Sequence, residues 1–419
     1  MTLAAKATRI SRAAPIACAA LAITVLVSQK IGSKQDSNPA GKTGKGRYRK
    51  VAAFLLLLPL AWLATSCDSR DVHQWSGQTM GTYYRITLTQ LNPGQWQQVN
   101  AMADQVDATL ANINTVMSTY QAGSELVQFN SLPAGRCQDA SESLIVVLRK
   151  AAEISRQSQG AFNPLLGPLV DRWNFGPGET PFVLPLDEEL SRLRALADWQ
   201  WISYSEQPAQ LCKHRDGVKL DFSAIAKGYA VDRIAEELQR AGFRSYLVDI
   251  GGEIKVAGLN ARQELWRLAI EKPELGAQQH SAADVQQVVA LTNKAVATSG
   301  DYRNFFTHQG RRYSHTIDPH SGFPITHGMA SVTVIDKSAA VADAWATALL
   351  AAGPARGRAL AQQYQLAVYF VQRNKTSPAN PASDAAIEAT LPAGQQSNDK
   401  ASAGYEVWYS KAFKRYLQQ

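Results

Sequence analysis

Beyond residue 74 the chain switches between two hydrophobic periods. Residues 83–89 alternate apolar and polar side chains, the two-residue period of a half-buried strand. Residues 96–117 repeat their apolar positions every three or four residues, as one face of a helix does. The same spacing predicts helices over 141–157, 186–197 and 224–241. The last of these runs into a short apolar strand at 246–250 and the turn Gly251-Gly252. Residues 265–270 and 331–335 read as strands, and 339–352 as an Ala-rich helix. Two helices stopped by glycine, each followed by a strand, predict a layered α+β body rather than a doubly wound one. Residues 374–403 are rich in Ala, Ser, Pro, Asn and Gln, a composition that buries too little to offset its ordering entropy, and they predict a surface loop. On either side, 365–372 and 405–417 return to the domain, the latter as a strand and short helix.

The N-terminal stretch follows neither period. Residues 51–66 are a short apolar run behind the basic Arg47-Tyr48-Arg49-Lys50, the arrangement of a secretory signal. Ala64-Thr65-Ser66-Cys67 resembles a bacterial lipobox, with Leu63 four residues before the cysteine rather than the usual three. Cys67 is therefore the expected lipidation site, and Asp68 resembles the signal that retains lipoproteins in the inner membrane. A second apolar run at 13–27 and a polar linker at 32–46 precede this signal. They are read either as sequence upstream of the true start or as an additional anchor. The expected organisation is a leader over 1–66, a lipidated linker over 67–73 and a domain over 74–419.

Charge sharpens this division. The 419-residue chain carries a formal +8 and a pI of about 9.2, which by itself would invite nucleic acid as a partner. Residues 1–66, however, hold ten bases against one acid, Asp36, and the remainder holds 33 bases against 34 acids. The basic character belongs to export, and no nucleic-acid partner is expected. Beyond the leader only Cys137 and Cys212 carry thiols. An oxidising compartment would allow them to pair, but spacing alone does not show whether they meet. No CxxC or Cys/His spacing points to zinc.

Three constellations carry candidate chemistry. Residues 220–232, Leu-Asp-Phe-Ser-Ala-Ile-Ala-Lys-Gly-Tyr-Ala-Val-Asp, put Asp221 and Lys227 at the mouth of a helix, where unpaired N–H groups and the dipole suit phosphate. A capped helix with solvated charges would look the same. Asp343 and Thr347 stand four residues apart on one helix face, two hard oxygens suited to Mg²⁺, although an Asp on such a helix is more often a cap. His315, in Arg312-Tyr313-Ser314-His315-Thr316-Ile317-Asp318-Pro319, is a natural base near neutral pH, with Asp318 either orienting it or capping the turn that follows. No GxSxG elbow supports a serine triad.

Taken in order, eight stretches resemble the FAD:protein FMN transferases of the ApbE family. They are Thr79-Met80-Gly81-Thr82; Met117-Ser118-Thr119-Tyr120 with Ser124-Glu125 and Phe129-Asn130; Gly160-Ala161-Phe162-Asn163-Pro164; residues 220–232; Ile250-Gly251-Gly252-Glu253; Thr298-Ser299-Gly300-Asp301-Tyr302; His315-Thr316-Ile317-Asp318-Pro319; and Ala342-Asp343 with Thr347. The resemblance implies a single large α+β catalytic domain of ApbE-like, T-fold-like architecture after an export leader. It implies an enzyme that takes FAD as substrate with Mg²⁺ and attaches FMN through a phosphoester to a Thr or Ser of a partner, releasing AMP. Met80, Tyr120, Ala161, Phe162, Asn163, Asp221, Lys227 and Ile317 would line the FAD site. Ala224, Asp343 and Thr347 would hold Mg²⁺, and His315 would be the base. Asn163 stands where the family usually has Asp, so a charge role there is in doubt while a hydrogen-bonding one survives. The implied partners are flavoprotein subunits of Na⁺-translocating NADH:quinone reductase or Rnf-type complexes, met at the periplasmic face of the inner membrane. FAD hydrolysis to FMN and AMP, and FAD binding without chemistry, are the competing readings. The mature protein is expected to begin at a lipid-modified Cys67; mass spectrometry of its N-terminal peptide checks this, and an unmodified Cys67 inside an intact leader would overturn it.

Overall fold

A computed structural model describes residues 72–417, apart from 179–180, 274–284, 303 and 375–403. The leader, the Cys67 lipobox and nearly all of the expected 374–403 loop lie outside the described residues. In chain order the first elements are β1 (Val72–Thr79), β2 (Thr82–Thr89), α1 (Pro93–Met117), α2 (Glu125–Ser131), β3 (Arg136–Asp139) and α3 (Glu142–Gln157). Next come α4 (Gly167–Arg172), α5 (Asp187–Arg194), β4 (Ile202–Glu206), β5 (Ala209–Lys213), α6 (Ala226–Arg240), β6 (Tyr246–Ile250) and β7 (Glu253–Ala257). The chain continues through β8 (Trp266–Glu271), β9 (Val285–Leu291), β10 (Lys294–Gly300), β11 (Phe305–His308) and β12 (Arg311–Ser314). It ends with β13 (Met329–Asp336), α7 (Ala339–Gln363), β14 (Ala367–Arg373) and β15 (Tyr405–Tyr409).

Eight strands form one sheet in the order β1-β2-β6-β7-β10-β13-β14-β15, and every adjacent pair is antiparallel. This is the layered α+β arrangement that the pattern predicts. Alternating side chains serve two layers. Val332 and Val334 of β13, with Val368 and Phe370 of β14, face the main core beneath the helices. Their neighbours Ile335, Tyr369 and Val371 join a second core with Trp266, Leu268 and Val289 of the β8–β9 hairpin. Central strands buried on both faces lose the clean alternation seen in β2, which explains why β10, with its small Ala297, Ser299 and Gly300, is not legible as a strand.

Caps fix the helix starts. Asn92 accepts from the Gln95 N–H while the Gln95 side chain accepts from the Asn92 N–H, so α1 begins three residues before its first periodic apolar position. The Ala-rich helix reaches Ala352 as expected. The backbone then breaks at Gly353, whose φ is 73°, ahead of Pro354, and a second helical stretch continues to Gln363. Cys137 and Cys212 face each other across β3 and β5 and are bonded, which settles the question their spacing left open.

The closest helix approach is where α6 meets α7. A Cβ added to Gly228 would lie 2.4 Å from the Ala339 carbonyl oxygen, a backbone atom that has no room to yield. Four residues on, Asp232 caps α7. One carboxylate oxygen accepts from the Ser338 hydroxyl at 2.6 Å and the Ala340 N–H at 3.1 Å, and the other accepts from the Ala339 N–H at 2.9 Å. Gly228→Ala is expected to cost about 1–3 kcal/mol or more through overpacking against backbone. A thermal denaturation midpoint equal to that of the unsubstituted protein would contradict this.

Candidate active site

The β1–β2 turn, the β6–β7 turn, the end of β10 and the start of β13 all lie at one end of the large sheet, as the pairing registers require. The N-terminus of α6 packs beside them. Both hairpins are two-residue turns with positive φ throughout: Met80 at 49° and Gly81 at 71°, then Gly251 at 61° and Gly252 at 99°. Glycine accepts that conformation freely, whereas Met80 does so at a cost, and costs of this kind gather at functional sites.

Directly after the second turn comes Glu253, which received no role from the sequence. Its Oε1 accepts from Lys227 Nζ at 2.7 Å, and its Oε2 is buried with no hydrogen-bond partner. Burial pushes the Glu253 carboxyl up to about 7, opposed by Lys227 and reinforced by Asp343. Asp343, only 3% exposed, is raised for the same reason, with Lys227 and the Gly228 N–H pulling the other way. Fully ionised, two buried carboxylates would share one lysine, leaving a negative charge to be balanced.

The oxygen donors around that charge suit a hard cation. Gly228 N–H, one of the first-turn donors of α6 that have no partner within the helix, donates to Asp343 Oδ2 at 3.1 Å. One turn along α7, Thr347 Oγ1 is 3.1 Å from Ser299 Oγ. Among the described residues no group of three or more His, Cys, Asp and Glu is arranged to hold a metal. Asp343 and Thr347 stand one turn apart on α7, and a carboxylate and a hydroxyl are hard oxygens of the kind that suits Mg²⁺.

His315 follows β12, half-buried, with Nδ1 2.9 Å from the Asn304 carbonyl oxygen. A carbonyl only accepts, so Nδ1 carries the proton and the neutral ring keeps Nε2 as its basic nitrogen. Burial lowers the His315 pKa below 6.5, and the charge of Lys227 adds to that effect. Asp318 does not orient the ring. It accepts from the His320 and Ser321 N–H groups at 3.0 and 3.2 Å and so caps the turn.

Asp221 and Tyr120 form a second grouping. Tyr120 is 70% exposed, its hydroxyl donates to the Phe175 carbonyl at 3.3 Å, and Asp221 helps to raise its pKa. Phe175 in turn lies 6.3 Å from the His315 ring, joining this grouping to the base. Asp221 accepts from the Ser223 N–H at 2.7 Å, and its own pKa is raised by burial. Asn130 fixes this segment, donating to the Leu220 carbonyl and accepting from the Leu220 N–H, each at 2.8 Å. Ala161, Phe162 and Ile317 are nearly fully buried, so their side chains belong to the interior rather than to an open surface. Asp301 is held by Arg373 through two bonds of 2.7 Å and by Arg312 at 2.8 Å, a structural pairing. Glu253, Ser299 and Asn130 all sit inside stretches that the sequence singles out, but nothing in their spacing distinguishes them from their neighbours.

The model of the ApbE family matches residues 80–370. The FAD:protein FMN transferase of Vibrio cholerae serotype O1 is 39% identical over 320 residues, covering 76% of this chain and 93% of that protein. The protein of the same name from Escherichia coli K12 is 31% identical, covering 77% and 92%. Among solved structures, the flavin transferase ApbE from Vibrio cholerae superposes with a TM-score of 0.68 at 33% identity, covering 83% of this chain and 100% of its own. The apo flavinyl transferase ApbE of Pseudomonas stutzeri gives 0.68 at 35%, covering 83% and 97%. The chain belongs to the ApbE family.

The Asn163 amide makes one hydrogen bond from each end. Oδ1 accepts from the Leu165 N–H at 2.9 Å, and Nδ2 donates to the Ala197 carbonyl at 2.8 Å. A carboxylate could not make the second bond and would face a carbonyl instead. Asn163→Asp is expected to destabilise the protein by about 1–3 kcal/mol at neutral pH; denaturant unfolding measures this, and an unchanged midpoint would show that the amide donor is dispensable.

Proposed function

We infer that the chain is a Mg²⁺-dependent FAD:protein FMN transferase. It moves FMN from FAD to a Thr or Ser hydroxyl of a partner flavoprotein and releases AMP. The observation that carries this reading is that Lys227, Asp343 and Thr347 stand at one end of the sheet, with Lys227 paired to Glu253 and Asp343 to the Gly228 N–H. Phosphoryl transfer asks a protein mainly to position groups and neutralise charge, and this set supplies both.

Lys227 and the positive end of the α6 dipole draw the pyrophosphate of FAD to this end of the sheet. Ala224, Asp343 and Thr347 would hold Mg²⁺, which when bound supplies positive charge to the phosphate oxygens. Tyr120 and Met80 offer side-chain surface to the rings of FAD, Asp221 and Asn163 offer polar contacts, and Ala161, Phe162 and Ile317 shape the walls from within. His315 Nε2 takes the proton of the incoming hydroxyl as its oxygen bonds to the FMN phosphorus. The bond from that phosphorus to the AMP oxygen breaks, and AMP leaves with the electron pair. Glu253 holds Lys227 in register with this charge.

By family likeness the acceptors are flavoprotein subunits of Na⁺-translocating NADH:quinone reductase or Rnf-type complexes. Lipidation at Cys67 would anchor the enzyme at the periplasmic face of the inner membrane.

Incubation with FAD, Mg²⁺ and such an acceptor domain should give a covalently fluorescent acceptor band on a denaturing gel. Absence of that band across several acceptors refutes transfer, and AMP release without any acceptor points to hydrolysis instead. His315→Ala should slow transfer by about 10²–10⁴-fold while FAD binding stays close to normal; equal loss of both would make His315 a binding residue. Because burial favours the neutral ring, the acid limb of transfer should fall below pH 6.5.

A further inference from the structure

The strongest unassigned feature is the segment leading into α5. Val183, Leu184 and Leu186 are 66%, 49% and 73% exposed. Single exposed aliphatic residues are ordinary, but three within four positions form a patch. The segment is anchored at both ends. Phe182 lies 4.7 Å from Phe306 and 5.9 Å from Trp173 between ring centroids. Arg172 Nη1 donates to the Val183 carbonyl at 2.8 Å, Pro185 is buried, and Leu186 leads directly into α5. The three aliphatic side chains are therefore held in solvent by a fixed backbone.

That anchorage leads to the base. Phe306 is 5.3 Å from Phe175, whose ring is 6.3 Å from His315. We propose that Val183, Leu184 and Leu186 are the docking strip for the acceptor, a folded protein that presents its hydroxyl beside an apolar segment with a basic rim. The proposal rests on the flavin-transfer reading, in which a macromolecular hydroxyl must approach His315. FAD finds its charge partner at Lys227, and its phosphates have no call on three exposed aliphatic groups.

Charge selects the kind of partner. The first turn of α5 carries Asp187, Glu188 and Glu189 immediately after Leu186. Glu189 is paired with Arg172 at 2.6 Å, whereas Asp187 and Glu188 are exposed. Two such acids repel anionic lipid headgroups and favour Lys or Arg across the contact. An apolar centre with a charged rim is the ordinary anatomy of a protein interface.

The test replaces Val183→Ser, Leu184→Ser and Leu186→Ser together in the full-length protein and assays it with the flavin-accepting domain of the NADH:quinone reductase subunit. FAD binding should be unchanged, the acceptor KM should rise about tenfold or more, and kcat should change little. An unchanged acceptor KM beside an active unsubstituted enzyme overturns the docking strip and leaves flavin transfer standing. No transfer by the unsubstituted enzyme takes down both. On a Cys67→Ser background, sedimentation with phosphatidylglycerol vesicles should be the same with and without the three substitutions. Vesicle binding that the three serines abolish would assign the strip to lipid and overturn the proposal.

Discussion

The geometry of the site depends on the crossing of α6 and α7 at Gly228. Because residue 228 has no side chain, the backbones approach until its Cα side meets the Ala339 carbonyl. That approach puts the Gly228 N–H, a first-turn donor with no partner inside α6, 3.1 Å from Asp343 Oδ2. Asp232 locks the crossing by taking over the first N–H groups of α7, and Lys255 neutralises it at 2.6 Å. Lys227 and Asp343 thus belong to different helices yet are set by the same contact. A larger residue at 228 would part the helices and separate the lysine from the carboxylate it serves.

Burying that charge is unfavourable, and the surroundings show how the fold tolerates it. Glu253 and Asp343 are both raised by burial, and Lys227 offsets them only in part. An arrangement optimised for stability alone would neutralise or remove one carboxylate. Retaining both holds negative potential where a cation and a phosphate can meet. The strained Met80 turn beside it belongs to the same pattern, since a non-glycine residue at φ 49° persists only where surrounding packing enforces it. Here the neighbouring turn leaves no slack: a Cβ on Gly251 would sit 2.7 Å from Thr82.

Much of this was legible in the sequence, and the remainder was hidden for identifiable reasons. Helices with one apolar face, such as α1 and α3, announce themselves by period, and β6 does so as a compact apolar run between a glycine stop and a glycine turn. The strands β3, β4 and β12 are short and largely polar, and they are specified by their partners rather than by their own composition. At the site, Lys227, His315, Asp343 and Thr347 were visible because each carries suggestive chemistry at a suggestive spacing. Glu253 was not, because its significance lies in an orphaned oxygen and a bond to a lysine on another element, both products of tertiary packing. Asn163 was visible as a departure, but its two bonds, one of them to a carbonyl 34 residues away, could not be read locally.

The two halves of the proposed chemistry rest on different parts of the fold. The phosphate half, Lys227 with Asp343 and Thr347, is built on long helices locked to the large sheet through the main core. The hydroxyl half, His315 with Phe175, is built on a smaller aromatic cluster of Trp173, Phe182, Phe306, Tyr313 and Phe323 around the β11–β12 hairpin. Charge stabilisation demands fixed distances, and the helix crossing provides them. Accepting a folded partner demands a surface whose residues can vary without disturbing those distances. His315 packs beside the smaller cluster through Phe175, while the exposed side of that cluster, including the segment before α5, stays outside the main core. Substitutions in the exposed segment before α5 can therefore accumulate with little effect on the α6–α7 crossing.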